Sequence, residues 1–165
     1  IDLHGGEVAQ TPPQAMALMR KLNPGLATKQ LVAAIEHLRG HEASNGKVGT
    51  IGWCFGGGWS LNASLATPVD ATVVYYGNVA KTADEVASLS GPVMGHYGEL
   101  DARINREMVG GFENALAAAG KADMNQSFWY DADHAFSNPT GGRFDAEDAA
   151  LAWERTQAFF KQHLS

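Results

Sequence analysis

The sequence contains a single cysteine and lacks the patterns that mark membrane or secreted proteins. One cysteine cannot close an internal disulfide, which favours a reducing compartment. No run approaches the roughly 18 apolar residues that a membrane helix requires, and the N-terminal residues show no basic-then-apolar signal pattern. We therefore expect a cytoplasmic protein with no membrane partner.

Clusters of basic residues are also missing. The chain has 12 Lys and Arg against 18 Asp and Glu, a net charge of −6, which disfavours nucleic acid as a partner. His37 and His41 have the spacing of a metal-binding pair, but Leu38 stands where the H-E-x-x-H motif requires glutamate. We expect no metal site and no nucleic-acid partner.

Four apolar runs predict buried strands. Hydrophobic residues make up 45% of the 165 residues, enough for one domain with a substantial core. The runs are rich in β-branched or aromatic residues and have glycine or proline near their ends. They are Lys47–Trp53, Ala71–Gly77, Pro92–Gly98 and Met124–Tyr130.

Segments with helical spacing alternate with these strands. Thr28 is the expected N-cap of the second helix, and the last helix is expected to bury Ala149, Trp153, Thr156 and Phe160. This alternation predicts an α/β fold with flanking helices and a parallel sheet of about four strands. The predicted helices are Pro12–Arg20, Thr28–Arg39, Gly57–Ala66, Ile104–Ala119 and Asp145–His163.

The glycine-rich segment Gly52–Gly58 (GWCFGGG) contains the only cysteine, Cys54. A dinucleotide-binding G-x-G-x-x-G motif requires glycine at the cysteine position, and a P-loop requires lysine and a hydroxyl where Gly58 and Trp59 stand. Neither phosphate-binding motif is present.

The same segment fits a nucleophile elbow, G-x-Nu-x-G, between a strand and a helix. The strained turn of an elbow tolerates only small residues two positions before and after the nucleophile, where Gly52 and Gly56 stand. The N-terminus of the following helix favours the thiolate of Cys54. A lone cysteine is more often an inert buried thiol, but the elbow context favours a nucleophile.

A cysteine nucleophile requires a base and an acid that orients the base. His134 follows the fourth predicted strand, and Asp101 follows the third, so both belong to the carboxyl edge of the sheet. Glu99 ranks second as the acid, and Asp133 is too close to the histidine in sequence to reach its ring. His96 lies within an apolar strand and is predicted to be a core histidine.

Together these motifs resemble the dienelactone hydrolase family of the α/β-hydrolase superfamily. The similarity extends over nearly the whole chain. The matching segments are Asp2-Leu3, Ser44–Gly49 (SNGKVG), Gly52–Gly57 (GWCFGG), Val74–Gly77 (VYYG), Gly98–Asp101 (GELD), His134–Phe136 (HAF) and Ala152–Thr156 (AWERT).

The resemblance implies a cofactor-independent hydrolase of esters or lactones that forms a thioester acyl-enzyme. By position, Cys54 is then the nucleophile, His134 the base and Asp101 the orienting carboxylate. The backbone N–H of Phe55 is then one donor of the oxyanion hole.

The resemblance also implies where the substrate lies. Tyr76 and Phe136 match pocket-lining positions of the family. The arginines that hold a substrate carboxylate in dienelactone-active members correspond to positions near Gly6 and at Asn138, which are uncharged. We therefore expect a preference for small neutral esters or lactones.

Members of the family carry further chain ahead of the position where this sequence begins, without an initiator methionine, at Ile1. Residues 1–165 are thus expected to form one domain, the C-terminal half of the fold, without the usual N-terminal strands. An exposed sheet edge favours pairing with a second copy, giving a homodimer, or with the missing segment. The alternative functions are a truncated, weakly active or non-catalytic module that serves as an assembly partner, and a thiol redox sensor.

Overall fold

The four predicted strands form one parallel sheet in a computed structural model that describes residues 1–165. They lie side by side in chain order, and each falls within its predicted range. The two central strands are buried along their whole length, as strands covered on both faces are. The predicted α/β class is confirmed. The strands are β1 (Gly49–Trp53), β2 (Ala71–Tyr75), β3 (Val93–Gly98) and β4 (Asn125–Tyr130).

Six α-helices accompany the sheet, including the five that the sequence predicts. The four-residue helix after β2 is too short to show a helical period, which is why the sequence pattern did not reveal it. None of the helices combines the length and apolar composition needed to cross a bilayer. The helices are α1 (Pro12–Lys21), α2 (Pro24–Gly40), α3 (Phe55–Ala66), α4 (Ala83–Val86), α5 (Arg106–Ala118) and α6 (Ala146–Leu164).

Helix α2 begins four residues before its predicted start. Asn23 is the N-cap, and its side chain accepts a hydrogen bond from the backbone N–H of Leu26 at 3.0 Å. The predicted cap, Thr28, is wrong: its hydroxyl donates to the backbone carbonyl of Pro24 inside the first turn. Asparagine followed by proline at the first helical position is a stronger start signal than a threonine further along.

The two faces of the sheet carry separate apolar clusters. Helices α3 and α5 cover one face, where Leu61, Phe112 and Leu116 are fully buried. Helix α6 covers the other face through Ala152 and Phe159. Helices return the chain across the sheet between successive strands, so all four strands run the same way and the loops that follow them meet at one carboxyl edge.

Helix α6 is rotated relative to the predicted orientation. Trp153, predicted to be buried, is 47% exposed, because the buried stripe runs through Ala152, Thr156 and Phe159. The Thr156 hydroxyl lies 2.8 Å from the Tyr75 hydroxyl, so a polar contact with the sheet sets the rotation of the helix.

His96 is a core histidine, as predicted. Its ring nitrogens lie 2.8 Å from the hydroxyl of Tyr130 and 3.0 Å from that of Thr156. Burial lowers the pKa of His96 to about 3, so the ring stays neutral near pH 7. The buried ring therefore joins β3, β4 and α6 through hydrogen bonds and carries no charge.

The turn between β1 and α3 places Cys54 in a strained conformation, with φ of 52°. A Cβ atom on Gly52 would lie 2.0 Å from the backbone oxygen of Gly56, so glycine is required there, as predicted. A Cβ atom on Gly56 would meet nothing within 4 Å. The predicted steric requirement at Gly56 is therefore wrong, because its Cα faces open space.

Substitution by alanine should have different effects on stability at Gly52 and at Gly56. We expect Gly52→Ala to lower the free energy of unfolding by about 3 kcal/mol or more, since the new methyl overlaps backbone atoms. Gly56→Ala, the matched control, is expected to be neutral or to stabilise α3 by at most about 1 kcal/mol. Urea unfolding measures both, and equal stabilities would contradict this account of the turn.

Candidate active site

The carboxyl ends of three strands bring the three predicted site residues into one chain of contacts. Cys54 follows β1, Asp101 follows β3 and His134 follows β4. The sulfur of Cys54 lies 3.2 Å from Nε2 of His134, and Nδ1 of His134 lies 2.6 Å from Oδ2 of Asp101. These are the distances of a nucleophile, a base and an orienting acid.

Asp101 is held rigidly and is only 3% exposed. Its Oδ1 accepts hydrogen bonds from the backbone N–H groups of Arg103 and Ile104, at 2.8 and 3.0 Å, which leaves Oδ2 for His134. Burial raises the pKa of Asp101, but these backbone hydrogen bonds and His134 outweigh burial and lower it. The carboxylate is therefore ionised at neutral pH.

The two rival carboxylates point elsewhere. Glu99 pairs with Arg106 and does not contact the histidine. Asp133 accepts a hydrogen bond from the backbone N–H of His134 at 2.6 Å and faces Arg143 at 3.5 Å, so it does not contact the imidazole. Asp101 is thus the only one of the three carboxylates that meets the imidazole.

Close contact between two loops sets the position of His134. Leu100 donates its backbone N–H to the carbonyl of Ala132 at 3.0 Å. A Cβ atom on Gly98 would lie 2.3 Å from that same carbonyl, so only glycine lets the loop after β3 approach the loop after β4. Ala135 has a positive φ of 66° and turns the chain directly after the histidine.

Contact between Cys54 and His134 favours the charged form of both. The hydrogen bond from His134 lowers the pKa of Cys54 against the opposing effect of burial, and the backbone N–H of Phe55 adds to the lowering. The hydrogen bond to Cys54 likewise raises the pKa of His134 against burial, with Asp101 contributing in the same direction. A thiolate beside an imidazolium is the reactive form of a cysteine nucleophile.

A cavity of about 460 Å³ opens beside the sulfur. Part of its wall is apolar or aromatic and includes Met19, Phe55, Trp59 and Tyr76. The polar part was missed by sequence reasoning, because no motif marks it and its residues come from α3 and from the loops after β2 and β3. That part consists of Asn62, Asn78, Lys81 and Arg103.

The two predicted substrate contacts lie at different depths. Tyr76 lines the cavity, with its ring centroid 5.2 Å from that of His134, and its hydroxyl lies 2.7 Å from that of Ser137. Phe136 is fully buried and packs behind the Tyr76 ring at 5.4 Å. Phe136 therefore supports Tyr76 from the core, and its predicted contact with substrate remains a prediction.

The rings of His37 and His41 contact each other edge to face. Their ring centroids are 5.9 Å apart, near the C-terminal end of α2. No group of three or more His, Cys, Asp or Glu side chains in residues 1–165 is arranged to hold a metal ion.

Comparison with known proteins adds evolutionary context to this geometry. The model of the dienelactone hydrolase family matches residues 2–164. A carboxymethylenebutenolidase of Pseudomonas putida is 32% identical over 151 residues, which cover 88% of this chain and 61% of that protein. Carboxymethylenebutenolidase 1 of Cupriavidus pinatubonensis is 28% identical over 144 residues, which cover 87% of this chain and 60% of that protein.

A solved structure shares the fold. It is the dienelactone hydrolase-like promiscuous phosphotriesterase P91 from metagenomic libraries, with a TM-score of 0.82 at 21% identity over 99% of this chain and 73% of that one. The chain spans about 60% of the length of the curated relatives it matches. Because the family model covers almost every residue, the chain belongs to the dienelactone hydrolase family, and its parallel sheet with flanking helices is an α/β-hydrolase fold.

Proposed function

We propose that this chain hydrolyses small carboxylic esters or lactones through a thioester acyl-enzyme. The observation that carries the proposal is the line of contacts from Cys54 through His134 to Asp101 beside an open cavity. Membership of a family named for a lactone hydrolase supports the same reaction class.

In the first step, the thiolate of Cys54 attacks the carbonyl carbon and forms the C–S bond. The carbonyl π electrons move to oxygen, which becomes an oxyanion. The backbone N–H of Phe55 directly follows the nucleophile and lies at the N-terminus of α3, so it is the proposed donor to that oxyanion.

Collapse of the intermediate breaks the C–O bond. His134 gives its Nε2 proton to the departing alkoxide, which leaves as an alcohol or, for a lactone, stays attached to the acyl group. Neutral His134 then takes a proton from water while the water oxygen attacks the thioester. The C–S bond breaks, the acid is released, and Cys54 returns to thiolate beside protonated His134.

Asp101 acts through the histidine in both halves of the reaction. Its hydrogen bond to Nδ1 keeps Nε2 directed at the sulfur and stabilises the imidazolium whenever it forms. Tyr76 borders the reacting groups through its ring. The expected preference for neutral substrates, which rests on the uncharged residues near Gly6 and at Asn138, remains a prediction.

The second candidate function is an assembly module, and the open edge of β1 favours it. No strand pairs with the outer side of β1. A cavity of about 280 Å³ lies along this edge and is lined mainly by apolar residues, among them Leu31, Leu38 and Ile51. An uncovered apolar edge is a template for pairing, here with a second copy of the chain.

Amide substitution of the two nearby carboxylates separates the proposed acid from its rival. We expect Asp101→Asn to reduce kcat for p-nitrophenyl acetate by on the order of 10⁴-fold, since an amide disrupts the orientation and protonation of His134. Glu99→Gln, the matched control on the same loop, should keep its activity. Cys54→Ala and His134→Ala should give only background turnover. If wild type is no faster than Cys54→Ala, the hydrolase proposal is wrong.

Alkylation by iodoacetamide reports the pKa of Cys54 without requiring turnover. Because His134 lowers the pKa of Cys54, the thiolate persists as pH falls below the ordinary thiol range. In His134→Ala the pH midpoint of the alkylation rate should therefore move upward. His41→Ala, which removes an exposed histidine far from the thiol in sequence, should leave the midpoint in place. Equal midpoints for wild type and His134→Ala would contradict the proposed ion pair.

Light scattering tests the association that the open edge predicts. We expect a dimer at micromolar concentration and a shift toward monomer in Leu38→Lys, because the new charge enters the apolar cavity beside β1. Leu100→Lys is the matched control, since Leu100 is 63% exposed and does not line that cavity. A wild-type monomer would contradict the assembly function.

A further inference from the structure

The cavity beside Cys54 extends along one face of helix α3. Phe55, Gly58, Trp59 and Asn62 all line it, and residues separated by three, four and seven positions share one face of a helix. With a rise of 1.5 Å per residue, Phe55 and Asn62 lie roughly 10 Å apart along the helix axis. This face of α3 therefore leads from the nucleophile at one end of the cavity to Asn62 at the other.

The part of the face nearer the nucleophile is aromatic. The rings of Phe55 and Trp59 contact each other edge to face, with their centroids 6.2 Å apart. Met19 of α1 lines the same cavity and is 40% exposed, so its side chain can still pack against a ligand. Burial of a methylene chain against these three side chains is favourable.

Asn62 differs from the two serines of α3. Both serines are buried and hydrogen-bonded: the Ser60 hydroxyl donates to the backbone carbonyl of Val73 at 3.0 Å, and the Ser64 hydroxyl donates to that of Ser60 at 3.0 Å. Asn62 is half-buried in the cavity wall, and its amide forms no hydrogen bond within the chain. The amide therefore has both its donors and its acceptor available to a ligand.

The stability of α3 does not account for an asparagine at this position. Asn62 lies in the interior of the helix and caps neither end. Asparagine is less favourable there than alanine or leucine, because its amide competes with the backbone for hydrogen bonds. A ligand in the cavity would supply the partner that the chain itself does not provide.

We propose that Asn62 selects esters whose acyl chain is apolar near the carbonyl and carries a neutral hydrogen-bonding group, an amide in the best case, at its far end. The proposal rests on the hydrolase function above and names a substrate class for the same site. With the carbonyl at Cys54, the methylene chain lies along Phe55, Trp59 and Met19. The distal amide then both donates to and accepts from the amide of Asn62.

Two p-nitrophenyl esters with acyl chains of equal length test this selection. The 6-acetamidohexanoate carries an amide near its far end, and the nonanoate is apolar throughout. Three extended residues, which contain the same number of chain atoms, span roughly 10 Å, so both chains can reach Asn62. We expect Asn62→Leu to lower the ratio of kcat/KM for the amide ester to that for the nonanoate roughly tenfold, since it removes a hydrogen bond and adds apolar contact.

A shorter pair of esters controls for the position of the amide. In the 3-acetamidopropanoate the amide lies too close to the carbonyl to reach Asn62, so Asn62→Leu should leave the ratio to the hexanoate unchanged. Asn62→Gln keeps an amide and should retain part of the preference in the longer pair. Asn114→Leu makes the same change at an exposed position of α5 outside the cavity and should alter neither ratio.

Unfolding in urea shows that the variant remains folded while its selectivity changes. Leucine is the better helix former, so Asn62→Leu should be at least as stable as wild type. A ratio for the longer pair that Asn62→Leu does not change would overturn the proposal. An equal fall in the ratio for the shorter pair would also overturn it, because the effect would then not depend on the distance from the carbonyl.

Failure of the underlying hydrolase function looks different, because neither long ester would then turn over above the Cys54→Ala background. In that case, titration calorimetry with 6-acetamidohexanamide decides the role of Asn62. Binding to wild type that Asn62→Leu weakens supports the proposal. Absence of binding to wild type, or binding that Asn62→Leu leaves unchanged, overturns it.

Discussion

The hydrogen bond from His134 Nδ1 to Asp101 Oδ2 joins residues 33 positions apart and is the contact on which the rest of the site depends. It forms because parallel strands β3 and β4 end at the same edge and because Gly98 lets their loops approach closely. With Nδ1 occupied, Nε2 faces Cys54 at 3.2 Å. The altered pKa values of the thiol and the imidazole follow from that arrangement.

The core on the α6 side of the sheet supports this edge. His96 stays neutral because it is buried and satisfied by two hydroxyl groups, so the strand that ends beside Asp101 carries no buried charge. Phe136 fills the space behind Tyr76, which in turn packs beside the His134 ring. Packing, rather than further polar contacts, thus completes the position of the imidazole.

Local sequence patterns predicted the structural features that depend only on residues close together in the chain. Buried strands are continuous apolar runs, and the elbow needs glycine at Gly52, so both could be predicted. The prediction that Phe136 lines the pocket came from resemblance alone. Only the folded structure shows that the Tyr76 ring packs between Phe136 and the cavity. Lys81 and Arg103 line one cavity from loops that follow different strands, and no spacing in the sequence predicts that arrangement.

The central claim is that Cys54 carries the acyl group during turnover. Acid quenching of the protein a few milliseconds after mixing with p-nitrophenyl acetate, followed by digestion and mass spectrometry, tests it most directly. The account predicts one acetyl group on the peptide that contains Cys54, labile to hydroxylamine as a thioester is, and none in Cys54→Ala. Turnover with the acetyl group on another residue, or with no acyl-enzyme and undiminished activity in Cys54→Ala, would contradict it.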